Sequence, residues 1–122
     1  MSCYCENDDP AEFCVDSMRK ARKQHRCCEC QRTINKCESY KITAGKWGED
    51  ITTYKTCQNC LDLLNFVSAH VPCVCWTFTN MRDAMIETAR EYADEAPGLL
   101  FGAYRREILI RRHRSEAEHG AN

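Results

Sequence analysis

The chain has 122 residues, enough for one small domain with a modest core. Its 17 basic and 18 acidic residues give a formal net charge of −1, which excludes a globally basic nucleic-acid binder and leaves only local basic patches. There are 11 cysteines, an odd number, with no secretory apolar run at residues 1–9 and no stretch near the roughly 20 apolar residues of a membrane span. That usage points to a reducing, cytoplasmic setting and to metal ligation rather than a full set of disulfides.

In chain order, residues 1–26 form an N-terminal segment that opens with Cys3-Tyr4-Cys5, a C-x-C pair able to bite one metal ion. Asp9-Pro10-Ala11-Glu12 reads as the start of a short helix, with Asp9 as N-cap, Pro10 as first helical residue and Glu12 as the reciprocal partner. Phe13 and Met18 would face inward from it, and Cys14 is either a further ligand or a buried free thiol. Residues 19–26 are basic, with Arg22, Lys23 and Arg26 among them. They read either as a solvated helix face or as a contact surface for phosphate or an acidic protein.

Residues 27–75 carry the strongest signal. Cys27 and Cys30 form one C-x-x-C turn, Cys57 and Cys60 another, with 26 residues between the two turns. Each turn aims two sulfurs at one point, and four soft sulfurs at tetrahedral angles suit a structural zinc ion. A redox dithiol is the rival, but it usually stands alone beside a βαβ pattern, which is missing here. Between the turns, residues 39–47 read as a strand with Tyr40, Ile42 and Ala44 on one face, and residues 51–56 as a second. Residues 45–50 supply the turn of this hairpin. Residues 61–69 then read as a short helix carrying the second cysteine pair in or near its first turn. A second C-x-C pair, Cys73 and Cys75, mirrors Cys3 and Cys5, and together they make a second four-sulfur site. Two zinc ions are therefore expected, with replacement of a ligand by Cys14, Cys28 or Cys37 left open.

Residues 76–122 form a helical C-terminal region. Residues 80–96 make a long helix capped by Asn80, with a core stripe of Met81, Met85, Ala89 and Tyr92. Pro97-Gly98 ends it, and residues 99–114 form a last helix with Leu100, Tyr104 and Ile108 on its inner side. Arg111 and Arg112 belong to its basic end, and residues 115–122 are expected to fray. The expected fold is a small zinc-binding α+β domain: a treble-clef-like knuckle, hairpin and helix, followed by two C-terminal helices.

The middle of the chain resembles a group of small zinc-binding proteins common in bacteriophages and prophages. The residues carrying the resemblance are His25, Cys27, Glu29, Cys30, Tyr40, Gly45, Trp47, Tyr54, Thr56, Cys57 and Cys60. It implies a zinc clef, a phage or prophage origin, a bacterial host cytoplasm and a host protein as partner, such as a defence or transcription component. Trp47, in a Gly-Lys-Trp-Gly turn, is the candidate anchor for such a partner, and the last helix is a candidate homodimer surface. The alternative is a DNA- or RNA-binding zinc protein using Arg22, Lys23 and Arg26 together with Arg111 and Arg112. A His-Asn-His-type nuclease shares the clef, but it needs a histidine base on the hairpin, and residues 40–56 hold none. The expectation is a non-enzymatic binding protein.

Overall fold

The computed structural model describes residues 13–47 and 49–120. Its elements are β1 (Phe13–Lys20), β2 (His25–Arg26), β3 (Thr33–Ile34), β4 (Ser39–Trp47), β5 (Asp50–Cys57), α1 (Gln58–Ser68), α2 (Met81–Glu91) and α3 (Leu99–Gly120). The first element corrects the sequence reading. Residues 13–20 are a strand, not part of a helix, and Met18 is exposed. The proposed helix start at residues 9–12 lies outside the described residues. The strand forms because β4 offers it a full-length antiparallel partner, from Phe13 opposite Lys46 to Lys20 opposite Ser39. Pairing along a whole strand outweighs a local capping signal.

β4 and β5 pair as the hairpin expected, with Tyr40 opposite Cys57 and Trp47 opposite Asp50, so the sheet order is β1-β4-β5. Residue parity divides the sheet into two faces. Thr43 and Tyr54 share one of them, Thr43 buried and the Tyr54 ring stacked on Phe78 at 4.2 Å. Trp76 meets the edge of Phe78 at 4.9 Å, so the segment after α1 covers this side. Val15 and Ile51 on the opposite face are exposed, as is common for an antiparallel sheet packed on one side only.

A second, two-stranded sheet, β2–β3, holds the first cysteine turn. Cys27 N–H donates to Arg32 O at 2.9 Å, and Gln31 takes a positive φ of 65° to turn the chain. Cys28 N–H donates to Lys55 O at 2.8 Å, which ties this knuckle to β5.

The helices pack on one another around Leu63, Val67, Met81, Met85, Leu99 and Ile110, all nearly or fully buried. A fully buried side chain of this size contributes about 1.5–3 kcal/mol. In α1 the buried set is Cys60, Leu61, Leu63, Leu64 and Val67, whereas Asn65 and Ser68 face outward. α2 ends at Glu91 rather than at the expected residue 96; Met81, Met85 and Ala89 of the predicted stripe are buried, while Tyr92 is the C-cap and only half-buried. In α3 the phase differs from the sequence reading: Leu99, Ala103, Glu107 and Ile110 face inward, while Tyr104 and Ile108 are exposed. Gly102 sets that phase. The Phe66 ring of α1 lies where a side chain at residue 102 would stand. α3 also continues as helix through Gly120, past the expected fraying point. The chain turns into α3 through Gly98, whose φ of 84° suits a residue without Cβ. No helix among the described residues is long and apolar enough to cross a membrane.

Candidate metal centre

The hairpin, the knuckle and α1 meet at four cysteines. Cys27 and Cys30 come from the knuckle, Cys57 ends β5, and Cys60 sits in the first turn of α1. All four are buried, and their sulfurs lie within 4.8 Å of one another. Cys27 Sγ is 3.8 Å from Cys60 Sγ, and Cys30 Sγ is 3.6 Å from Cys57 Sγ. Sulfurs held about 2.3 Å from one ion at tetrahedral angles stand about 3.8 Å apart. A disulfide requires about 2.05 Å. The donor set and the spacing therefore fit one metal ion, and they are consistent with zinc.

The backbone prepares the site for negative charge. Cys27 Sγ accepts N–H groups from Glu29 at 3.4 Å and Cys57 at 3.3 Å. Cys57 occupies the N-cap of α1 without making a side-chain cap bond. Its sulfur joins the cluster at the positive end of the helix dipole, where thiolates are favoured. Within the cluster the Cys27 thiol is drawn far below the ordinary thiol range, chiefly by its bond with Cys30 and then by Cys57 and Cys60. Its contact with Cys27 pushes Cys60 the other way. The four sulfurs thus share charge and protons that a cation would replace.

Two guanidinium groups answer that charge. Arg32 is buried, which by itself lowers its pKa, but the Cys57 charge and then Glu38 outweigh this and raise it. Its Nη1 donates to Glu38 at 3.1 Å and to Thr33 O at 3.0 Å. Arg82 of α2 has its pKa raised mainly by Glu107, with smaller contributions from Cys60 and Cys30. Buried Glu107 accepts both Arg82 Nε and Nη2 at 2.7 Å and Arg111 Nε at 3.0 Å.

Glu29 was noted in the sequence only as part of the resemblance, yet it links the knuckle to the C-terminal helices. Its nearly buried carboxylate accepts Thr79 N–H at 2.8 Å and Met81 N–H at 3.0 Å. Asn80, the expected cap of α2, makes no side-chain cap bond, so Glu29 caps this helix from fifty residues away. It also holds Thr79 at a φ of 75°, strained for a β-branched residue. Nothing in the local sequence marks either this role or that of Glu107, beyond an acid standing where its surroundings are cysteine or arginine.

Of the other predicted ligands, Cys73 and Cys75 are disulfide-bonded and so are not free thiols, and their own Sγ atoms stand 3.9 Å apart. Cys3 and Cys5 lie outside the described residues. Cys14 in β1 and Cys37 are exposed, Cys28 is half-buried, and none of the three enters the cluster. Burial, and then the neighbouring Glu29 charge, push the Cys28 thiol up to about 12. The His25 ring stays outside the cluster and lies 5.2 Å from that of Tyr40.

The proposed contact residues are dispersed. Trp47 ends β4, and its side chain lies outside the described residues. Arg22, Lys23 and Arg26 are exposed, and Arg26 Nη1 donates to Gln31 O at 2.8 Å. Arg111 and Arg112 are exposed on α3. The two basic segments line separate clefts: Arg22 and Lys23 share one with β4 and β5, whereas Arg111 borders another between α2 and α3. No protein-family model, no curated protein sequence and no solved structure matches the chain.

Proposed function

We propose that this chain is a non-catalytic binding module stabilised by zinc, with a treble-clef-like frame of knuckle, hairpin and helix. The observation that supports it is the buried four-sulfur cluster joining those elements. When bound, a zinc ion there supplies a cross-link between the knuckle and the start of α1. Four protein sulfurs complete its tetrahedral shell, so no position remains for a substrate or a reactive water. β4 and β5 carry no histidine to serve as the base of a His-Asn-His-type nuclease.

A second zinc held by Cys3, Cys5, Cys73 and Cys75 in the reduced chain belongs to the same proposal, on the strength of the two mirrored C-x-C pairs in the sequence. So do the phage origin and the bacterial host cytoplasm that the resemblance implies. A host protein is the partner that resemblance implies, with Trp47 as candidate anchor because it is an aromatic near the hairpin tip. The described surface offers more support to a polyanion, as set out below.

Two experiments test the proposal. Stripping metal with a strong chelator should abolish the near-ultraviolet dichroism and the cooperative melt, and added zinc should restore both. A chelated, metal-free protein that keeps both contradicts the zinc frame. Supercoiled plasmid incubated with the protein and added magnesium or nickel should stay intact, and metal-dependent nicking would contradict the non-catalytic assignment.

A further inference from the structure

On the outer side of the knuckle, β1, the bend after it, the β3–β4 turn and β5 enclose an open groove of about 1110 Å³. Six cations line it: Arg19, Lys20, Arg22, Lys23, Lys36 and Lys55. They come from three separate stretches of chain, residues 19–23, Lys36 and Lys55, so the fold gathers them. Arg19 lies in register with Tyr40, and Lys55 with Ile42, which places both cations on the same open face of the sheet. All but the half-buried Lys55 are exposed. No carboxylate of the described residues lines the groove. The nearby Glu38 is turned to Arg32, and none of the six cations has a salt-bridge partner among the described residues.

Six unpaired cations gathered in one place cost energy through mutual repulsion unless an anion is present. Protein interfaces deplete lysine at their centre and rely on aromatic or apolar anchors. Four of these six cations are lysines, and Tyr40, the aromatic floor, is only 4% exposed. Phosphate contacts, by contrast, are made by Lys and Arg and need no apolar anchor. We infer that this groove is a docking surface for the phosphodiester backbone of a nucleic acid. This deepens the binding-module reading and rests on it. Among the described residues the groove offers only the buried Tyr40 and the half-buried His25 as rings for stacking, so it reads charge and not base identity.

The test uses the full-length, zinc-loaded protein and a fluorescent mixed-sequence oligonucleotide, single- or double-stranded, followed by anisotropy across a salt series. Binding should weaken steeply with salt and show no base preference. Charge reversal at Lys23→Glu, Lys36→Glu and Lys55→Glu together should weaken binding about tenfold or more and lower the salt slope by about three. Arg112→Glu should leave binding unchanged. Zinc content and melting temperature are measured on the same samples. No binding by a folded, zinc-loaded protein at low salt overturns the groove inference and leaves the zinc frame standing. Binding that survives the triple reversal, or capture of polyglutamate in preference to the oligonucleotide, overturns it as well. Should the triple variant lose zinc, the surface single variant Lys36→Glu, expected to lower the slope by about one, decides the matter.

Discussion

The inner and outer sides of the knuckle handle charge in opposite ways. Inside, four sulfurs are buried, Arg32 and Arg82 face them, and Glu29 spends its carboxylate on backbone N–H groups of the α2 entry. Outside, six cations stand without acids among the described residues. A charge that is buried must be matched within the chain, because desolvation leaves it no other compensation. An exposed cation can be left unmatched at small cost and answered by a partner. On the proposed reading the inner side serves stability and the outer side recognition, and substitutions should separate the two.

The largest effect is expected at the cluster. Cys30→Ser or Cys57→Ser should abolish high-affinity metal binding and cost about 10 kcal/mol of metal-linked folding energy, leaving a chain without a cooperative melt. Cys37→Ser, in an exposed turn, should change stability by no more than about 0.5 kcal/mol. Equal tolerance of all three would erase the distinction drawn between inner and outer cysteines.

Next comes the buried ion pair. Glu107→Ala leaves Arg82 without its main partner and should cost about 3–5 kcal/mol, read as a lower denaturant midpoint. Glu29→Ala removes the acceptor of two backbone N–H groups and should cost about 1–3 kcal/mol, with faster amide exchange at Thr79 and Met81. Acidification acts on the inner side too. Metal requires deprotonated sulfurs, so protons compete with it, and lowering the pH should release the ion and unfold the frame in one transition. Stable metal retention in acid would count against thiolate ligation.

The smallest effect is chemical. In the loaded protein, alkylation near neutral pH should label exposed Cys37 well before Cys28, whose thiol is held up to about 12 by burial and the Glu29 charge. Thiolate, not thiol, is the reacting form, so equal labelling rates would contradict that environment.

The cluster was legible in the sequence because each C-x-x-C turn is local and its geometry follows from spacing alone. The β4–β5 hairpin was legible for the same reason: both strands and their turn are contiguous. β1 was misread because its strand state depends on pairing with β4, while the residues before it imitate a helix start. The inward side of α3 was misread because leucine and isoleucine occur on several sides of it, and the packing of Gly102 against Phe66 decides among them. Glu29 finds its partners fifty residues away and Glu107 finds Arg82 25 residues away, which no local pattern encodes; only the pair of Glu107 with Arg111 is local. The basic groove was half legible. Residues 19–26 announce it, but only the fold brings Lys36 and Lys55 alongside.

The central claim is that one metal ion holds the knuckle to the first turn of α1. Elemental analysis of protein purified without chelator tests it most directly, on the wild type, on Cys30→Ser and on the double variant Cys73→Ser/Cys75→Ser. The expected result is bound zinc in the wild type, loss of the ion from the first site in Cys30→Ser, and retention of that ion in the double variant. A wild-type chain free of metal, or a Cys30→Ser chain with its metal content unchanged, would contradict the claim.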